Sequence, residues 1–446
     1  MNFESLANDM DTLWLMLGAI LVFFMQTGFS MLETGSVSVK NTKNILIKNI
    51  GDAVIGAICW WTLGFGFAFG ETSGGFIGTS GFLLKGEMFE SEDGTLTNGK
   101  QYAFWLFQWA FAATAVTITS GCVAERVSFN AYIIYAIVLT SFIYPVVVHW
   151  GWAGGFFSAF SEDPLFGCGA IDFAGSGVVH SVGGIAALCA SCVIGPRVGR
   201  FGTDGTVRSL PEQSTVLQTL GTLIIWLGWY GFNGVSTLGI VGLSGVAAKT
   251  MVTTTISAAF GSITSVILAK LKLGYWDAGA ANNGILSGLV GITAGTSVVE
   301  PEGAMIIGIV SGFIYTYSSA LLLKLKIDDV VSAIPVHGFC GLFGVLAASL
   351  FATKDNYVLS YSGDPDKCAG VFYGGDGTAL GVNCLFILAI IGWVGTTCMV
   401  LFLTLKYTVG VRVEKEVEKM GMDDSKHGGQ TYPELVEQRT NVNSDV

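Results

Sequence analysis

The sequence predicts an all-α polytopic membrane protein with eleven transmembrane helices. Three observations carry this. Only 12% of the 446 residues are charged, 51% are hydrophobic, and the mean hydropathy is +0.61, whereas a soluble domain carries about 25% charged residues. Apolar runs close to the ~20 residues that span a bilayer recur along the chain. Glycine is abundant, at 61 residues, and small residues let helix backbones pack closely in lipid.

The runs cover residues 12–32, 50–70, 102–123, 131–150, 178–195, 215–234, 246–270, 282–299, 304–323, 334–352 and 381–405. The second and eighth are the weakest, being Gly-rich and interrupted by Asp52, Asn282 and Asn283. Of the 22 Lys and Arg residues, 17 fall in one set of loops and in the C-terminal tail. Cytoplasmic loops are the basic ones, so the N-terminus is expected outside and the C-terminus inside. The opposite loops are acidic, with Glu87, Glu90, Glu92, Asp93, Glu162, Asp163, Glu300 and Glu302 among them. Such a surface concentrates cations, although ordinary solvated loops explain it equally well. The net charge of −11 resides in loops and tail. No basic patch with interleaved aromatics suggests nucleic acid. The N-terminus carries Glu4, Asp9 and Asp11 and no cationic segment, so a cleaved signal peptide is not expected.

One pattern occurs twice: Asp, six residues, Val-His, three residues, Gly. It runs from Asp172 through His180 to Gly184, and from Asp329 through His337 to Gly341. The topology puts Asp172 outside and Asp329 inside. Residues 12–195 and 215–352 then form an inverted repeat, to which the span 381–405 is appended. Inverted repeats place their site near the midplane. Eight residues of helix rise about 12 Å, so the two His can meet there from opposite faces. Intramembrane ionisable groups are costly and usually functional. A neutral imidazole pair suits a substrate that exchanges protonated and neutral forms; a core His bonded to a carbonyl is the plainer alternative. A metal site lacks ligands at suitable spacing, and no cofactor is expected. Each Asp fits a helix N-cap, and Asp172 also fits the support of a cation vestibule. The two His are expected to act as a pair and the two Asp not to.

Three aromatic clusters converge on the outer side: 107–111 in the third span, His149-Trp150-Gly151-Trp152, and Trp229 to Asn233 with Ser236 just beyond. Aromatic faces attract cations, so these clusters offer an ammonium cage, with interfacial packing as the alternative. The nine cysteines are scattered. Cys189 and Cys192 read as buried small residues in an apolar span. Cys168 and Cys368 lie in two loops assigned outside and can pair if those loops meet. The tail, 406–446, is polar, and residues 414–424 offer a charged helix beside a solvated end.

The chain resembles the ammonium transporter family (Amt/Mep/Rh), in its plant and algal branch. The resemblance rests on residues 23–33, on Lys40 to Leu46, and on the Asp172–His180 signature. It rests also on Trp229–Asn233, Val336-His337-Gly338, Gly421-Met422-Asp423 and His427-Gly428-Gly429. It implies an outer ammonium site at Trp152, Phe111 and Ser236 backed by Asp172. It implies a gate of stacked Phe111 and Phe232, a pore-wall Trp229, and a twin-His pore of His180 and His337. The same resemblance implies a homotrimer in the plasma membrane and a tail that packs on a neighbouring subunit. In that tail Ser425 occupies a phosphorylation position, so a kinase or regulatory protein becomes a partner. The expected activity is electrogenic ammonium transport, with methylammonium as an analogue. The alternatives are an electroneutral gas channel for NH3 or CO2, an ammonium sensor signalling through the tail, and, distantly, a metalloenzyme.

Overall fold

The computed structural model describes residues 3–90 and 98–432; Glu92, Asp93 and Arg439 lie outside the described residues. Nine helices among the described residues are long and apolar enough to cross a membrane: α1 (Phe3–Ser36), α2 (Val39–Phe69), α3 (Gly99–Cys122), α4 (Phe129–Trp152), α5 (Ser176–Ile194), α7 (Ser244–Leu273), α9 (Pro301–Lys324), α10 (Ile334–Phe351) and α11 (Thr378–Tyr407). Two more helices pack among them. These are α6 (Thr215–Trp229, continued by a turn over Tyr230–Gly234) and α8 (Ala278–Ile292). The expected sixth and eighth spans correspond to these shorter helices, whereas the second span, expected to be weak, is among the nine.

Local chemistry sets several boundaries. Asn98, Ser128, Ser214 and Asp277 each accept a backbone N–H at a helix N-terminus, as N-caps do. Pro301 opens α9, where its missing N–H costs nothing. The second helix begins well before residue 50, because Lys48 and Asn49 are buried within it and are not loop residues. Hydropathy alone misses this, since polar side chains that point into the bundle score like solvated ones.

Helices meet where glycine removes the side chain. A Cβ on Gly184 of α5 would lie 2.1 Å from the backbone N of Gly338 on α10, and one on Gly288 of α8 would lie 2.2 Å from the Ser257 carbonyl of α7. Large apolar side chains face outward along the bundle, among them Ile20, Ile50, Val54, Val216, Leu223, Ile263 and Leu388. That is the arrangement of a protein whose solvent is lipid. Five helices contain a wide π turn: Trp60–Gly64, Leu139–Ile143, Ser176–Ser181, Tyr230–Gly234 and Ile334–Phe339. Such turns are rare and gather at functional sites. Here they hold His180, His337 and Phe232.

Candidate functional site

One end of the bundle opens into a cavity of about 260 Å³ lined by Phe69, Phe104, Gln108, Phe111, Trp152, Phe160, Phe173, Ser236 and Leu238. Trp152 closes the end of α4, and its indole N–H donates to the Asp172 carbonyl at 2.7 Å. That bond holds the ring edge-on to Phe111, with centroids 5.9 Å apart. Trp150 points elsewhere. It donates to the Phe76 carbonyl and packs on Phe157 and Trp393. Ser236 donates to the Phe232 carbonyl at 2.7 Å, so the lone pairs of its hydroxyl remain to accept.

Below the cavity the rings form a column. Phe111 and Phe232 stack at 4.0 Å with a 23° tilt. Phe232 lies 5.3 Å from the His180 ring, His180 lies 5.2 Å from the His337 ring, and Phe29 lies 6.4 Å beyond. Trp229 flanks the column, stacked on His180 at 5.0 Å, and is fixed by a 3.0 Å bond from its N–H to Thr293. The two His meet through Nδ1 atoms 3.1 Å apart. One ring must donate and the other accept, so the neutral pair adopts opposite tautomers and shares one proton between the Nδ1 atoms. His180 is fully buried, and its Nε2 has no partner among the described residues.

Residues 13–432 match the Ammonium Transporter Family. The chain belongs to that family. It is 40% identical over 441 residues to Ammonium transporter 1 member 3 of Solanum lycopersicum, covering 96% of this chain and 94% of the relative. It is 44% identical to Ammonium transporter 1 member 2 of Oryza sativa, covering 89% and 81%. Among solved structures it resembles a Sensor Amt Protein, with a TM-score of 0.85, 34% identity, and 95% and 100% of the two chains covered.

Within this family member, the Asp172 carboxylate does not line the cavity. Its Oδ2 accepts the N–H groups of Gly177 and Val178 at 3.0 and 2.9 Å, so it caps the turn that carries His180. Asp329 does the same for the turn that carries His337, accepting from Ile334 at 2.7 Å. Both Asp carboxylates are therefore caps, and the two differ in that, among the described residues, only Asp172 also touches the aromatic cluster, through the Trp152 bond to its carbonyl. His149 bonds the Ala68 carbonyl and the Thr72 hydroxyl and takes no part in the column.

Cys168 and Cys368 are joined in a disulfide, while Cys189 is buried and Cys192 exposed. Among the described residues no group of three or more His, Cys, Asp or Glu could hold a metal ion.

The expected single helix over 414–424 is two short ones, α12 (Lys415–Met420) and α13 (Met422–Lys426), broken at Gly421, whose φ is 108°. The tail docks on its own chain. Asp423 accepts the N–H groups of Lys43 and Asn44 at 2.9 and 3.0 Å, His427 meets Asn44 at 2.8 Å, Lys40 donates to the Lys419 carbonyl, and Arg412 donates to the Ile194 and Pro196 carbonyls at 3.1 and 2.7 Å. Ser425 donates to the Gly421 carbonyl across that break. Sequence reasoning gave no role to Gln108, although it sits one turn before Phe111 on the same helix face, a spacing that was readable. Phe69, Phe104, Phe160 and Leu238 come from separated segments, and no local signal marks them.

Proposed function

We propose that this chain transports ammonium across the plasma membrane as a homotrimer with one pore per subunit. The observation that carries the reading is the unbroken ring column from the Trp152 cavity through the Phe111–Phe232 stack to the His180–His337 pair. In this reading NH4⁺ enters the cavity, lies against the faces of Trp152 and Phe111, and donates to the hydroxyl of Ser236. Asp172 acts from behind, through the Trp152 bond and the turn it caps. The stacked Phe pair excludes a hydrated ion, and a bare cation beyond it is too costly. NH4⁺ therefore breaks one N–H bond at the gate, the electron pair staying on nitrogen and the proton going to the unpartnered Nε2 of His180. NH3 crosses along the imidazole edges, and the proton passes through the His pair, so the transport is electrogenic. K⁺ has no proton to lose and is rejected.

In this reading the chain crosses eleven times, with α6 and α8 counted, and the basic loops and tail support an N-terminus outside and a tail inside. The inverted repeat, about 12–195 against 215–352, is supported by paired caps at Asp172 and Asp329 and by a His within a π turn in each half. Residues 1–405 form the transport domain and 406–446 the regulatory tail. Phosphate on Ser425 would bring nearly two negative charges beside Asp423 and Asp424 and loosen the docking, closing the pore.

The test is labelled methylammonium uptake by cells that lack ammonium transporters of their own. Saturable uptake competed by ammonium but not by K⁺ is expected. Uptake no greater than in control cells, with the protein at the surface, defeats the reading.

A further inference from the structure

Beyond His337 the column meets a buried carboxylic acid that the transport scheme leaves idle. Glu33 is 1% exposed and sits on α1, one turn past Phe29, the residue that packs on the His337 ring. The same small cavity touches both groups. It is lined by Phe29, Leu32, Glu33, Val336 and His337 among others, and its volume is about 10 Å³. That is close to the room one water molecule needs, and polar groups stand at both ends. The remaining walls are apolar, from Ile118, Leu286, Val331 and Ala333.

The carboxylate is held in place rather than left to swing. Its Oε2 accepts from the Asn49 amide at 2.8 Å, and its Oε1 lies against Gly121, where a Cβ would approach to 2.5 Å. Behind Asn49 stand Lys48, with no exposed surface and an amine that lies 5.9 Å from the Tyr132 ring centroid without a hydrogen-bond partner among the described residues, and Asp52, whose Oδ1 accepts from Tyr132 at 2.8 Å. A titratable acid, an amine and a second acid thus occupy the interior of α1 and α2, beside the pore and short of the tail. Burying such groups in a lipid-embedded bundle is expensive, and they mark ion and proton pathways.

We infer that Glu33 is the proton acceptor on the inner side of the pore, receiving through one water the proton that leaves the His180–His337 pair. The inference rests on the proton-carrying reading of transport. The His337 N–H bond breaks and its electron pair stays on the ring; the water gains that proton and loses another; the Glu33 carboxylate becomes a carboxylic acid. Release to the inner solution restores the carboxylate, with the Lys48 amine setting the local charge. NH3 needs no such acceptor and leaves by the same opening.

The experiment uses the full-length protein in proteoliposomes and reads two signals after an ammonium step: the transient current, and the internal alkalinisation that appears when NH3 enters without its proton. Glu33→Gln is expected to cut the current at least tenfold while alkalinisation rises above the wild-type level, because NH3 then enters without its proton, and Glu33→Asp is expected to restore part of the current. Gly121→Ala, which displaces the carboxylate without removing it, serves if the amide variant does not fold, and the same separation of the two signals is expected. Wild-type current in Glu33→Gln overturns the inference alone. So does loss of the current with no rise in alkalinisation in both Glu33→Gln and Gly121→Ala, since that marks a structural role. A wild-type protein that alkalinises vesicles without any current overturns the proton-carrying reading and the inference together.

Discussion

At the scale of single residues, the site depends on side chains whose rings are aimed by hydrogen bonds. Trp152 owes its position to one bond with the Asp172 carbonyl, and Trp229 owes its position to Thr293. A cation over an aromatic face gains about 0.5–2 kcal/mol. Trp152→Ala should therefore raise the ammonium concentration for half-maximal transport by roughly 2- to 30-fold, read from a concentration series of methylammonium uptake. Trp150→Ala should leave that value alone and lower thermal stability, because Trp150 packs against Trp393 and Phe157. Sequence alone offered both Trp residues at the same helix end, and only the family resemblance favoured Trp152. The twin His were legible because ionisable groups are so rare in apolar runs. Gln108 and Phe104 were not, because an amide or another Phe in an aromatic-rich helix carries no distinguishing chemistry.

At the scale of elements, the close crossing of α5 and α10 brings the His pair together. Here the two glycines are not equivalent. A Cβ on Gly184 would collide with the Gly338 backbone, whereas a Cβ on Gly338 would meet its nearest neighbour at 3.4 Å. Gly184→Ala should abolish the folded yield measured by size-exclusion chromatography, and Gly338→Ala should fold and transport. Periodicity showed which helices exist but not the π turns in them, since one extra residue per turn leaves the apolar content unchanged. It also missed the true start of α2, where Lys48 and Asn49 face inward.

The loop before α10 is tied by Asp328, which bonds Arg197 at 2.8 Å, while Arg197 also reaches Glu125 at 2.5 Å. Burial alone would raise the Asp328 pKa. The bonds and charge of Arg197 outweigh burial and hold it at about 2. A lowered carboxylate pKa stabilises the fold above the ordinary value, and that contribution fades as pH falls toward about 2. Asp328→Asn should cost on the order of 3 kcal/mol at neutral pH, seen as a lower melting temperature, and the gap from wild type should narrow with acidification below pH 4.

At the scale of the whole molecule, a rigid bundle is joined to a tail that grips its basic end. Asp423 is the clamp, bonding two backbone N–H groups at the start of α2. The Gly-Met-Asp and His-Gly-Gly stretches marked the tail in the sequence, but the grip was not readable, because its partners lie some 380 residues away in the chain. Ser425→Asp should lower uptake at equal surface expression, and undiminished uptake would remove the tail from control of the pore.

The central claim is that ammonium loses its proton at the aromatic gate and that the His pair carries it onward. Voltage clamp of expressing cells under ammonium, K⁺ and methylammonium, with wild type beside His180→Ala, tests this most directly. The account predicts a saturable inward current with ammonium, a smaller one with methylammonium, none with K⁺, and loss of the ammonium current in His180→Ala. A K⁺ current in wild type, or an undiminished ammonium current in His180→Ala, would contradict it.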